Sequence, residues 1–165
     1  MKKLLLFSVL VIGFTSAAVA QEISENALGL RLGDGDGFGA EISYQRAISS
    51  NNRLEFDLGW RDEDHYDAFK LTGLYQWVFP IEGGFNWYLG AGGGFGSYDA
   101  DDDWIHDHNH HDDSGMFGFV AGDVGIEYKF NIPLLLSLDF RPELGFNDID
   151  DDLDFDIGLG IRYLF

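Results

Sequence analysis

The sequence predicts an all-β protein, an eight-stranded antiparallel up-and-down transmembrane β-barrel. Three observations carry that expectation. Apolar and polar residues alternate with period two in eight successive segments. The breaks between segments also alternate, short and nearly uncharged, then acidic. Finally, 22 of the 165 residues are Gly and none is Cys. Interior Gly costs ~1 kcal/mol against Ala in a helix, so a helical bundle is disfavoured. Without Cys there is neither a disulfide framework nor a thiolate metal site.

The chain opens with an address. Lys2 and Lys3 precede an apolar run over 4–14, and Ala18-Val19-Ala20 places small residues before Gln21. This pattern predicts a signal peptide over 1–20 and one barrel domain over 21–165. The apolar run is short of the ~20 residues a spanning helix needs. Loss of the two lysines takes the net charge from −19 to −21. Such an acidic chain is not expected to bind nucleic acid, which demands a basic face. Its 45% hydrophobic content argues against disorder.

The segments follow in order. In the first, 27–33, Leu28, Leu30 and Leu32 share a face. The second, 38–48, sets Phe38, Ala40, Ile42 and Tyr44 against Glu41, Ser43 and Gln45. The third, 53–61, sets Leu54, Phe56, Leu58 and Trp60 against Glu55, Asp57 and Gly59. The fourth, 68–79, carries Phe69, Leu71, Tyr75, Trp77 and Phe79 opposite Lys70, Thr72 and Gln76. The fifth, 85–98, has Phe85, Trp87, Leu89 and Phe95 on one face and mostly Gly on the other. The sixth, 116–130, opposes Val120, Val124, Ile126, Tyr128 and Phe130 to Asp123, Glu127 and Lys129. The seventh, 134–146, opposes Leu136, Leu138, Phe140 and Leu144 to Ser137, Asp139, Arg141 and Glu143. The eighth, 153–165, opposes Phe155, Ile157, Leu159, Ile161, Tyr163 and Phe165 to Asp154, Asp156 and Arg162. Their lengths bracket the ~9–11 residues of a tilted membrane-crossing strand.

The short breaks are 49–52, 80–84 and 131–133. The acidic ones, 34–37, 62–67, 99–115 and 147–152, hold 17 carboxylates and no Lys or Arg. Each class therefore lies at one end of a meander.

Alternation does not say which face points outward. Two features place the apolar face outside. The polar face carries charges of both signs (Arg31, Glu41, Glu55, Asp57, Lys70, Asp123, Glu127, Asp139, Arg141, Glu143, Asp156 and Arg162), enough to fill a narrow eight-stranded interior as a paired network. Aromatic residues crowd both ends of the apolar face: Trp77, Phe79, Phe85, Trp87, Tyr128, Phe130, Tyr163 and Phe165 at the short-turn end, and Trp60, Phe69, Phe95, Phe146 and Phe155 at the other. Two aromatic girdles flanking an aliphatic band mark a membrane barrel.

The pattern Gly158-x-Gly160-x-x-Tyr163-x-Phe165 resembles the C-terminal signal of bacterial outer-membrane proteins, with Gly at its first position where a polar residue is usual. The mature chain as a whole resembles the small eight-stranded, OmpA/OmpX-like barrels. That resemblance implies the outer membrane of a Gram-negative bacterium, with both termini periplasmic and the acidic loops outside. It implies membrane lipid, lipopolysaccharide and the assembly machinery as partners, the last through the strand ending at Phe165. It further implies a monomer with a non-enzymatic surface or envelope-structural role and no cofactor.

One segment could carry chemistry of its own. Residues 99–115 hold His106, His108, His110 and His111 among seven aspartates, including Asp107 and Asp112. Imidazole suits Zn²⁺, Ni²⁺ or Cu²⁺, and aspartate completes such shells. The same composition also describes a solvated loop, because His-x-His spacing fixes no geometry. Asp34, Asp36 and the 148–152 run suggest weak Ca²⁺ binding, but neither completes an EF-hand loop. Ser97, Ser114 and His65 are the elements of a hydrolase, yet no G-x-S-x-G or H-E-x-x-H occurs, so no catalytic residue is expected. A narrow channel is the remaining alternative. Lys70, Arg141 and Arg162 should block it as ion pairs, while the Gly90, Gly92, Gly94 and Gly96 stripe leaves space unless Tyr88, Tyr98 or facing side chains fill it.

Overall fold

The computed structural model describes residues 23–33, 39–63, 66–100, 113–146 and 153–165. The leader over 1–20 lies outside them. Eight strands follow in order: β1 (Asn26–Gly33), β2 (Ala40–Ala47), β3 (Asn52–Glu63), β4 (Tyr66–Pro80), β5 (Phe85–Ala100), β6 (Asp113–Lys129), β7 (Leu134–Phe146) and β8 (Leu153–Leu164). Each pairs antiparallel with its sequence neighbour, and β1 pairs with β8. The sheet is a closed barrel. Closure is sealed at the short-turn end by reciprocal backbone bonds between Asn26 and Phe165, of 3.1 and 3.0 Å.

Carrying the pairing once around the wall, from Gly33 through Gly158, Asp139, Gly125, Tyr88 and Val78, returns to β1 displaced by about ten residues. That stagger requires tilted strands. Tilt in turn explains why spans of about eleven residues suit a band ~25 Å tall.

The expected alternation is what the wall displays. Leu28, Leu30, Leu32, Phe56, Leu58, Leu89, Leu138, Ile157, Leu159 and Ile161 all face outward and are exposed. The outward rows of β4, of β5 and of β8 with its following residue carry aromatics ten positions apart near their two ends: Phe69 and Phe79, Phe85 and Phe95, Phe155 and Phe165. The girdle at the short-turn end is in ring-to-ring contact. Phe79 stacks on Trp87 at 4.5 Å, and Tyr128 contacts both Phe85 and Phe130 at 4.6 Å. At the acidic end Phe69 meets Phe95 edge-on at 6.0 Å. Asp67, the next outward residue on β4, is exposed, so the apolar row stops there.

Two sequence expectations need correction. The acidic breaks are shorter than their composition suggests. Asp99 and Ala100 pair with Ser114 and Asp113, and Asp62 and Glu63 pair with Asp67 and Tyr66. Ladder bonds are made by backbone, so polar side chains do not by themselves end a strand. The second segment was also expected to run over 38–48, but β2 ends at Ala47, and Ile48 bonds back to Asn52 within the turn.

No helix among the described residues is long and apolar enough to cross a membrane, a criterion that does not bear on strands.

Candidate functional site

Two regions could act: the barrel interior and the acidic ends of the loops. The interior is built from the inward row of every strand. At the short-turn end Asn86 donates to Glu127 (3.0 Å), Arg53 pairs with Glu127 (2.7 Å), and Arg53 Nε donates to Gln76 (2.6 Å). A cavity of about 20 Å³ lies here beside Arg53, Asn86 and Glu127. It has room for about one water.

The middle is a layer of charge. Arg31 binds Glu41 (3.0 Å), Asp156 (2.6 Å) and Asp139. Arg141 binds Asp57 (2.7 Å) and Glu55 (3.2 Å), with Glu41 at 3.6 Å. Arg162 donates to Ser43 and Ser137 (2.8 Å each) and to Glu55 (3.2 Å). All three arginines are fully buried.

Toward the acidic end Lys70 is held by both oxygens of Glu143, at 2.8 and 2.7 Å. The Lys70 ammonium also lies 4.8 Å from the centre of the Phe119 ring, a cation–π contact. The sequence reading thus identified the network, and Lys70, Arg141 and Arg162 are paired as expected.

What it missed is how the glycine wall is filled. Phe117 and Phe119 stand in the inward row of β6, in phase with Asp123 and Glu127, and Phe119 packs with Leu74 and Ala121. A Cβ on Gly94 would strike the Phe119 ring, and one on Gly96 the Phe117 ring. The same relation recurs elsewhere. Tyr88 lies against Gly125, Arg31 against Gly158 and Arg162 against Gly160. Each inward Gly here is the floor on which a large neighbour lies flat. Counting in twos from Asp123 back to Phe117 would have revealed the two rings. With the lumen layered in this way, the barrel is expected to give no stable conductance steps in planar bilayers. Sustained, reproducible steps would show that the network opens.

The loop residues stand differently. His106, His108, His110, His111, Asp107 and Asp112 lie outside the described residues, as does His65. Among the described residues no group of three or more His, Asp or Glu could hold a metal ion. Ser97 is described. It belongs to the outward row of β5, one step beyond Phe95, and so does not face the interior carboxylates.

No protein-family model matches the sequence, and no curated protein does. Solved structures are similar in shape. The N-terminal β-barrel domain of Pseudomonas aeruginosa OprF aligns with a TM-score of 0.62 at 14% identity, covering 88% of this chain and all of that one. The common property is the fold. Neisserial surface protein A aligns at 0.57 with 14% identity, over 85% of this chain and 94% of its own. Ail, the attachment invasion locus protein of Yersinia pestis, aligns at 0.55 with 16% identity, over 86% and 97%. These likenesses extend over nearly the full barrel while almost none of the sequence is shared.

Proposed function

We propose that this chain is an integral outer-membrane barrel of a Gram-negative bacterium, with its short turns and both termini toward the periplasm. Its acidic loops are then presented outside in a non-enzymatic surface or envelope-structural role. The observation that carries the reading is the outward apolar row closed at each end by aromatics. Water would not sustain so large an exposed apolar belt, whereas a bilayer matches its height. The closed ladder leaves no strand edge to lipid. On this reading lipopolysaccharide and the assembly machinery are partners, and the barrel works as a monomer.

The mature chain is expected to refold only with detergent or lipid. Unboiled, it should migrate differently on a gel from the boiled sample. Ready solubility without detergent, with no such heat-dependent shift, would overturn the assignment.

A second reading rests on the four histidines and seven aspartates of 99–115: divalent-cation capture outside the cell. Because β5 and β6 pair as far as Ala100 and Asp113, the proper control replaces 101–112 with a two-residue Asn-Gly turn and keeps the ladder. Calorimetric titration of Zn²⁺ or Ni²⁺ is expected to give stoichiometric micromolar binding that vanishes in this control. No saturable heat would leave the loop as a charged surface.

A further inference from the structure

The charge inside the barrel does not close. Among the described residues eight buried carboxylates face five buried Arg and Lys side chains. Seven of the eight have a cation at ion-pair distance, supplied by Arg31, Arg53, Lys70, Arg141 or Arg162. Asp123 is the exception. Its Oδ2 accepts from the Gln76 amide, and its Oδ1 has no partner although the residue is 3% exposed. Burying an uncompensated carboxylate costs several kcal/mol, so either a proton or a cation must neutralise it.

The surroundings indicate which. Asp139 lies diagonally across β6 and β7 from Asp123, since Gly125 is its paired residue and both carboxylates belong to inward rows. Asp139 gives Oδ1 to Arg31 and leaves Oδ2 unpartnered. Between these strands the ladder is interrupted. The pairing runs from Ala121–Glu143 to Val124–Phe140 and omits Gly122 opposite Pro142 and Asp123 opposite Arg141, whose Nε and Nη1 are buried without a hydrogen-bond acceptor and make no bond to Asp123. Pro142 has no N–H to give across. Two buried carboxylate oxygens without donors therefore sit beside a stretch of wall whose own backbone pairing lapses.

We propose that Asp123 and Asp139 hold a small, largely dehydrated monovalent cation, Na⁺ or K⁺, at mid-wall between β6 and β7. Hard cations take oxygen ligands, and a cation here would serve the one carboxylate without an ion pair while lowering an interior excess of three negative charges to two. A divalent ion is disfavoured, because no group of three metal-binding side chains exists among the described residues. The acidic loops can be screened by any cation, whereas this site must exclude a bulky one.

The test uses the refolded mature chain in a zwitterionic detergent, melted at equal ionic strength in sodium, potassium or choline chloride, with Asp123→Asn beside it. Binding to the folded state alone gives a saturable upward shift in melting temperature. That shift is expected in sodium or potassium, absent in choline and absent in D123N. Sodium-23 NMR line broadening on the wild-type barrel, relieved by added K⁺, reads the same site should D123N fail to fold. Identical melts in sodium and choline would overturn the proposal. So would a full sodium response in D123N, which would place the cation on the loops. Heat-dependent gel mobility of the same samples reports the barrel separately, so loss of cation dependence does not touch the membrane assignment.

Discussion

Arg31→Met is expected to destabilise the folded barrel by about 3–5 kcal/mol. The guanidinium is fully buried and holds three carboxylates, on β2, β7 and β8. Met fills much of the volume but leaves Glu41, Asp139 and Asp156 with fewer donors in a site that water reaches poorly. Removing one partner of a buried pair is costly for that reason, more than for the energy of the pair itself. Urea unfolding followed by Trp fluorescence would measure the loss. The matched control is Arg46→Met, since the Arg46–Glu25 pair is solvent-exposed and should matter by less than ~1 kcal/mol. Equal effects at the two positions would show that the interior charges are hydrated rather than packed.

Gly158→Gln is the second large expectation, and its direction runs against the sequence pattern. A polar side chain is usual at the first position of the terminal signal, so the substitution would appear to improve the match. In this barrel a Cβ at 158 would fall within 3 Å of the Arg31 guanidinium. Overpacking of this kind costs ~1–3 kcal/mol before any damage to the Arg31 ion pairs is counted. G158Q should therefore unfold at lower urea than wild type, and the two changes should couple. In an Arg31→Met background the Gln side chain has room, so its cost should shrink. Simple additivity in the double-mutant cycle would mean that Gly158 is not the seat of Arg31.

The same pair shows what could be read from sequence and what could not. Strand identity was legible because one face is apolar and the other charged, and β7 was placed to the residue at both ends, Leu134 and Phe146. The members of the ion network were legible as the inward row. Its pairing was not, because partners such as Arg31 and Asp139 meet over the intervening strand β8 from strands far apart in sequence. The seating of large side chains on glycine was hidden for the same reason. Gly158 belongs to β8 and Arg31 to β1, which meet only when the wall closes. The extension of β5 and β6 into the acidic break was hidden for a different reason. Beyond the girdle the side chains no longer report pairing, and only the backbone does.

The seam between β1 and β8 differs in kind from every other contact in the wall. Seven ladders join strands adjacent in the chain and can form as hairpins. The eighth joins Leu28 to Tyr163, across almost the whole mature sequence. Nearly all of the topological distance in this molecule is concentrated in that one ladder. Loop-closure entropy must be overcome there before any bond rewards it. Until it forms, the sheet is an open ribbon with two raw edges, each a template for a stray strand. The folding time of this barrel, and its exposure to aggregation on the way, should therefore be governed by a single late event, and conditions that hold β1 and β8 near one another should accelerate the whole process.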